Sequence, residues 1–170
     1  MASGGGCAVS RRVTGGQNLP ELLRFLEDAS AGGPTDLGAS LAAFVGESVE
    51  GGVLIVLSDF WSEGDLGGAL RAAAERGFDG ALVRVLAPEE VEVPRAGRAL
   101  LTDAETGEEL EVGFSPRAAE AYREELEGFT RQVEEAAARA GFRWADLRSD
   151  RPLADAVLTD LRRAGVVTGE

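Results

Sequence analysis

The stretch GGVLIVLSDFWSEGD, residues 51–65, constrains the fold more than any other part of the chain. Two glycines break the backbone at 51 and 52, five aliphatic residues run without alternation from Val53 to Leu57, and Ser58 and Asp59 end the run. An unbroken apolar run of this length predicts a strand buried on both faces, the environment of a parallel sheet covered by helices. After it, Leu66, Leu70 and Ala73 fall at helical spacing up to Gly77, and a second apolar run from Gly80 to Ala87 ends at Pro88. Strand, helix and strand within about forty residues make a βαβ crossover, expected to be right-handed.

The flanking sequence continues the alternation. Leu19 to Ala29 places Leu22, Leu23 and Leu26 on one helical face behind Asn18, an N-cap. A glycine-rich segment then leads into a short helix striped by Leu37, Leu41 and Phe44, with Thr35 or Asp36 as its cap. CAVSRRV, near the start, reads as a weak strand. Downstream, RALLTDAETGEELEVGF alternates around a turn at Glu105 to Gly107 and predicts a β-hairpin inserted at the sheet edge. Ser115 and Pro116 open the longest helix, striped by Tyr122, Leu126, Phe129, Val133 and Ala137 and ending near Gly141. FRWADL is a short strand, and Asp150 is expected to cap a last helix carrying Leu153, Val157, Leu158 and Leu161, closed by Gly165.

This order defines an α/β fold: a three-layer αβα sandwich, doubly wound around a mainly parallel sheet, with a β-hairpin insertion. Only three parallel strands are convincing, from residues 53, 80 and 142. Doubly wound sheets usually carry more, so the domain reads as incomplete at its N-terminus. Residues 1–16 are expected to be a flexible or weak-strand segment, and 17–170 a partial domain.

Composition narrows the chemistry. There is no His and no Lys, which excludes imidazole catalysis or ligation, Schiff bases and the phosphate-loop lysine. A single cysteine makes neither an intrachain disulfide nor a thiolate zinc site. The net charge of −13, with no concentrated arginine patch, argues against nucleic acid and anionic membranes as partners. Neither a signal peptide nor a membrane-length apolar segment is visible, so a cytoplasmic location is expected.

What remains is oxygen chemistry. Asp59 follows a buried parallel strand, where α/β sheets place their ligands, and a carboxylate there is expected to be bonded, paired or on a cation. Thr35 offers a hydroxyl in the constrained GGPTDLG loop, and Mg²⁺ accepts such hard oxygen donors. The plainer readings are that Ser58 and Asp59 cap a turn and Thr35 caps a helix. Glu89, Glu90 and Glu92 read as an extended surface segment. Glu124, Glu125, Glu127, Glu134 and Glu135 read as a solvated helix face, and Trp61 and Trp144 as core aromatics, Trp61 with the option of shaping a binding edge beside Asp59.

GGVLIVLSDFW, with GGPTDLGASL before it and GFDGALVRVLAPEEVEVP and LLTDAETGEELEV after it, resembles the domain-of-unknown-function fifty-eight family, which contains a von Willebrand factor A-like domain. The similarity runs on through Tyr122 and FRWADLRSDRPLADAVLTDLRR, and its most specific element is the hairpin turn from Asp103 to Gly107. The resemblance implies a metal-ion-dependent adhesion site of three pieces: an Asp-x-Ser-x-Ser loop, a Thr, and an Asp after a later strand. Thr35 matches the second and Asp59 the third, while the first has no counterpart. The implied cofactor is therefore Mg²⁺ on a partial site, held weakly or not at all.

The function so implied is a non-enzymatic protein-interaction module, assisting a MoxR-type AAA ATPase in protein-complex assembly. An exposed sheet edge would also allow self-association. Two other readings stand beside it: a truncated fragment without metal binding, and a carboxylate-dependent hydrolase using Asp59. Trp61 stands where a haloacid-dehalogenase-like enzyme wants its second Asp, and a receiver domain would want a lysine.

Overall fold

The computed structural model describes residues 2–3, 6–7, 16–29, 36–48, 50–62, 64–94, 96–102 and 107–167. Ala2–Ser3 (β1) and Gly6–Cys7 (β2) form a two-residue antiparallel ladder separate from the other strands. The rest of the weak strand expected at CAVSRRV lies outside the described residues. A 3₁₀ turn at Gly16–Asn18 leads into Leu19–Glu27 (α1); Asn18 holds the cap position, but its side chain makes no capping bond. Leu37–Glu47 (α2) is capped by Asp36, whose Oδ1 accepts from Ala39 N at 2.8 Å.

Val53–Ser58 (β3), Leu66–Glu75 (α3) and Asp79–Leu86 (β4) make the expected βαβ unit, with Asp65 capping α3 through Gly68 N at 2.8 Å. Pro88–Val91 (α4) follows, then the hairpin Gly97–Thr102 (β5) and Glu109–Phe114 (β6). Pro116–Arg139 (α5) starts at Ser115, whose Oγ accepts from Ala118 N at 3.1 Å. Arg143–Arg148 (β7) and a short last helix, Leu153–Asp155 (α6), complete the order; α6 continues as a π-helical turn over Ala156–Leu161.

The main sheet runs β3-β4-β7, all parallel. Alternate residues of the strands enter two cores. Val56 and Leu82 join Leu41 and Val45 of α2, Leu70 and Ala73 of α3, and Val133 and Ala137 of α5. Ala81, Val83 and Ala145 pack on the other face under Leu161, Ala164 and Val166. Helices therefore lie on both faces of the sheet, covering the second face over β4 and β7. The strands also approach closely: a Cβ on Gly80 would lie within bonding range of Leu54 O, so only glycine fits there.

Three expectations are corrected. β3 is not buried on both faces: among the described residues it pairs only with β4, and Val53, Ile55 and Leu57 are 79%, 49% and 67% exposed. The physical reason is coverage, because the last helix lies over β4 and β7 and leaves the outer face of β3 bare. Glu89 and Glu90 are not extended but sit in α4, where Glu90 Oε2 reaches back to accept from Ala87 N at 2.6 Å. Asp150 does not cap the last helix; it pairs with Arg148, and Pro152 holds the cap position. The hairpin forms as expected, but as a two-stranded sheet of its own; the turn residues 103–106 lie outside the described residues. Among the described residues, no helix is long and apolar enough to cross a membrane.

Candidate functional site

β3 ends in a turn built from short polar side chains. Ser58 Oγ accepts from Phe60 N at 2.9 Å, Asp59 Oδ1 accepts from Trp61 N at 2.9 Å, and Ser62 N donates to Phe60 O at 2.8 Å. Phe60 is held at φ 64°, the left-handed region, at a cost of about 1–2 kcal/mol for a residue with a Cβ. Packing offsets that cost: Phe60 is 2% exposed, and its ring lies 5.6 Å from that of Trp144. The inverted residue turns Phe60 into the core and leaves Asp59 in solvent at the carboxyl end of the sheet. Trp144 is partly buried against the core, as expected. Trp61 is not core: it is largely exposed and lays its ring against Phe129 at 4.6 Å.

The α2 N-terminus meets the same turn. Leu37 N donates to Ser62 Oγ at 3.1 Å, and the Asp36 carboxylate packs where a side chain on Gly64 would stand. Thr35 lies outside the described residues. The residue after it, Asp36, is thus tied to the loop that follows Asp59. Between the two segments is a cavity of about 230 Å³ lined in part by Leu37, Phe60, Ser62, Asp65 and Phe129.

The donor chemistry fits a hard cation only in part. Mg²⁺ takes six oxygens, usually with retained waters. Asp36 and Asp65 each use Oδ1 to cap a helix, and Asp59 uses Oδ1 to hold Trp61 N. Asp59 caps no helix, but its Oδ1 closes the turn at Trp61 and also accepts from Ser58 Oγ at 3.4 Å. Among the described residues, no group of three His, Cys, Asp or Glu side chains gathers to hold a metal.

One charged group escaped the sequence reading. Arg84, in the middle of β4, is 7% exposed; its Nε donates to Asp146 Oδ1 and its Nη1 to Thr130 Oγ1, both at 2.5 Å. Its guanidinium also lies 5.7 Å from the Trp144 ring centroid. The signal was present: GALVRVLA carries one arginine within an apolar strand, FRWADL carries Asp146 as well as Arg143, and register sets Arg84 opposite Asp146. Nearby, Tyr122 donates to Glu90 O at 2.8 Å, and burial, then the Glu90 charge, pushes its phenol above the ordinary value. At the surface, a bidentate bond from Arg148 holds the Asp150 carboxyl below its usual range.

These features define an α/β domain with a parallel three-stranded sheet and an acidic turn at its carboxyl edge. The family described as protein of unknown function DUF58 matches residues 11–136, and the chain belongs to it. An uncharacterized protein of Mycobacterium bovis and two uncharacterized proteins from strains of Mycobacterium tuberculosis are each 30% identical to it over 161 residues. Each alignment covers 92% of this chain and 50% of the relative, so the chain spans about half the length of these relatives. No solved structure matches the chain.

Proposed function

We propose that this domain is a non-enzymatic protein-interaction module of the von Willebrand factor A-like type, working beside a MoxR-type AAA ATPase in assembling protein complexes. The observation that carries the reading is the state of β3. Among the described residues its outer edge pairs with no strand, and its bare aliphatic face meets, at the carboxyl end, an exposed Asp59 on a strained turn. Unpaired strand edges accept an added strand, and exposed aliphatic patches mark contact surfaces. A protein partner donating an extended segment to β3 would cover both.

The metal part of the proposal assigns Thr35 and Asp59 as ligands of a partial Mg²⁺ site at this edge, where a partner carboxylate completes the coordination. Two protein ligands chelate weakly, so metal affinity alone should be low and should rise with the partner. Calorimetric titration of Mg²⁺ into the wild type and Asp59→Ala tests the metal role. The wild type should release heat that the variant loses, and indistinguishable heats would overturn the role of Asp59. The interaction itself is tested by titrating the purified ATPase against both proteins, with binding expected to weaken in the variant.

A further inference from the structure

A second cavity, of about 410 Å³, opens beside the end of β4 between α4 and α5 and does not include Asp59 in its walls. Leu86, Val91 and Leu126 give it aliphatic walls. Its charged lining is three arginines, Arg84, Arg123 and Arg131, against one acid, Glu127, which inverts the sign of a chain whose net charge is −13.

The arginines are not equally engaged. Arg84 is pinned by Asp146 and by Thr130, whose own hydroxyl donates to Leu126 O at 2.6 Å and so keeps a lone pair turned to the guanidinium. Those bonds use Nε and Nη1. Nη2 makes no described bond, and Arg84 lines both this cavity and a neighbouring one shared with Asp146 and Asp160. Arg131 and Glu127 approach only to 3.9 Å and are largely exposed. Arg123 is half-buried and makes no ion pair among the described residues. A guanidinium fixed at two of its nitrogens is already oriented, so a third bond from Nη2 costs little rotamer freedom.

We propose that this cavity binds a carboxylate carried on an aliphatic chain. Arg84 and Arg123 hold the carboxylate, and Leu86, Val91 and Leu126 surround the chain. Charge-assisted bonds from arginine favour the anion, and the apolar walls favour a tail that a bare inorganic anion lacks. A free alkyl acid and the C-terminus of a polypeptide ending in aliphatic residues present the same chemistry.

The test is an NMR titration of the full chain with octanoate, octanol, acetate, and acetyl-Leu-Leu as free acid and as amide. Octanoate should shift the Arg84 Nε–H and Trp144 Nε1–H resonances saturably. Octanol and acetate should each bind at least about 10-fold more weakly, one lacking the charge and the other the chain. Arg123→Gln, which removes no described contact, should weaken octanoate about 10-fold and leave octanol unchanged. Tighter binding of the dipeptide acid than of octanoate, with loss in the amide, assigns the site to a polypeptide terminus; the reverse order assigns it to an alkyl acid. Octanoate binding no better than octanol, or unaffected by Arg123→Gln, would overturn the proposal.

Discussion

Strands β3 and β4 lie side by side in register, Val53 opposite Asp79 through Ser58 opposite Arg84. Each is a run of aliphatic residues, and composition alone would give them one environment. β4 has a parallel neighbour on each side and helices over both faces; Ala81, Leu82 and Val83 are sealed. β3 shares one edge and one covered face with it, and turns Val53, Ile55 and Leu57 outward. The difference comes from neighbours, since burial belongs to what packs around a strand. The better-covered strand is also the one that carries an internal charge. Arg84 is tolerated there because Asp146, Thr130 and the Trp144 face satisfy it.

The comparison breaks first at the core. Leu82 is fully buried between α3 and α5, and Leu82→Ala should destabilise the chain by about 2–5 kcal/mol in urea unfolding. The matching truncation on the bare face, Leu57→Ala, should cost well under about 1 kcal/mol. Equal losses at the two positions would mean that the two strands are equally buried.

Between these extremes lies Tyr122, which ties α5 to α4 beside the β4 cavity. Tyr122→Phe removes the bond to Glu90 O and should cost about 0.5–1.5 kcal/mol, toward the lower end because the site is partly open. Its pH dependence follows from the raised phenol. Above pH 10 the unfolded chain loses this proton before the folded one does. Stability from Tyr122 is therefore full below pH 10 and is lost as pH rises through the folded pKa. This is the chain's single tyrosine, and there is no lysine, so few other groups titrate in that window. Denaturation followed from pH 9 to 12 should show a decline in the wild type that is smaller in Tyr122→Phe.

Much of this was legible in the residues. The βαβ unit, the long helix from Ser115 and the hairpin rest on local signals, which were sufficient for them; at the start of α2 the same signals left the cap open between Thr35 and Asp36, and Asp36 takes it. The bare face of β3 was not, because an apolar run has the same pattern at the edge of a sheet as at its centre. Asp150 failed as a cap for a related reason: the rule considers the next turn of helix, whereas Arg148, two residues back, supplies a stronger partner. Position after a strand correctly placed Asp59 at the carboxyl edge. It could not foresee the left-handed Phe60 that turns it outward, since nothing in an aromatic residue announces a positive φ.

The smallest expected effect separates the two strands most sharply. Ile55 is 49% exposed on the outer face of β3, flanked there by Val53 and Leu57. A lysine at this position can keep its ammonium in water, so Ile55→Lys should change unfolding free energy by no more than about 0.5 kcal/mol. It should also act as natural edge strands do, where a charge discourages pairing with another strand. Sedimentation of the wild type and Ile55→Lys, with and without the ATPase proposed as partner, should therefore show lost association without lost stability. A penalty comparable to that of Leu82→Ala would instead mean that the outer face of β3 is covered within the folded chain, and the contrast between the strands would disappear.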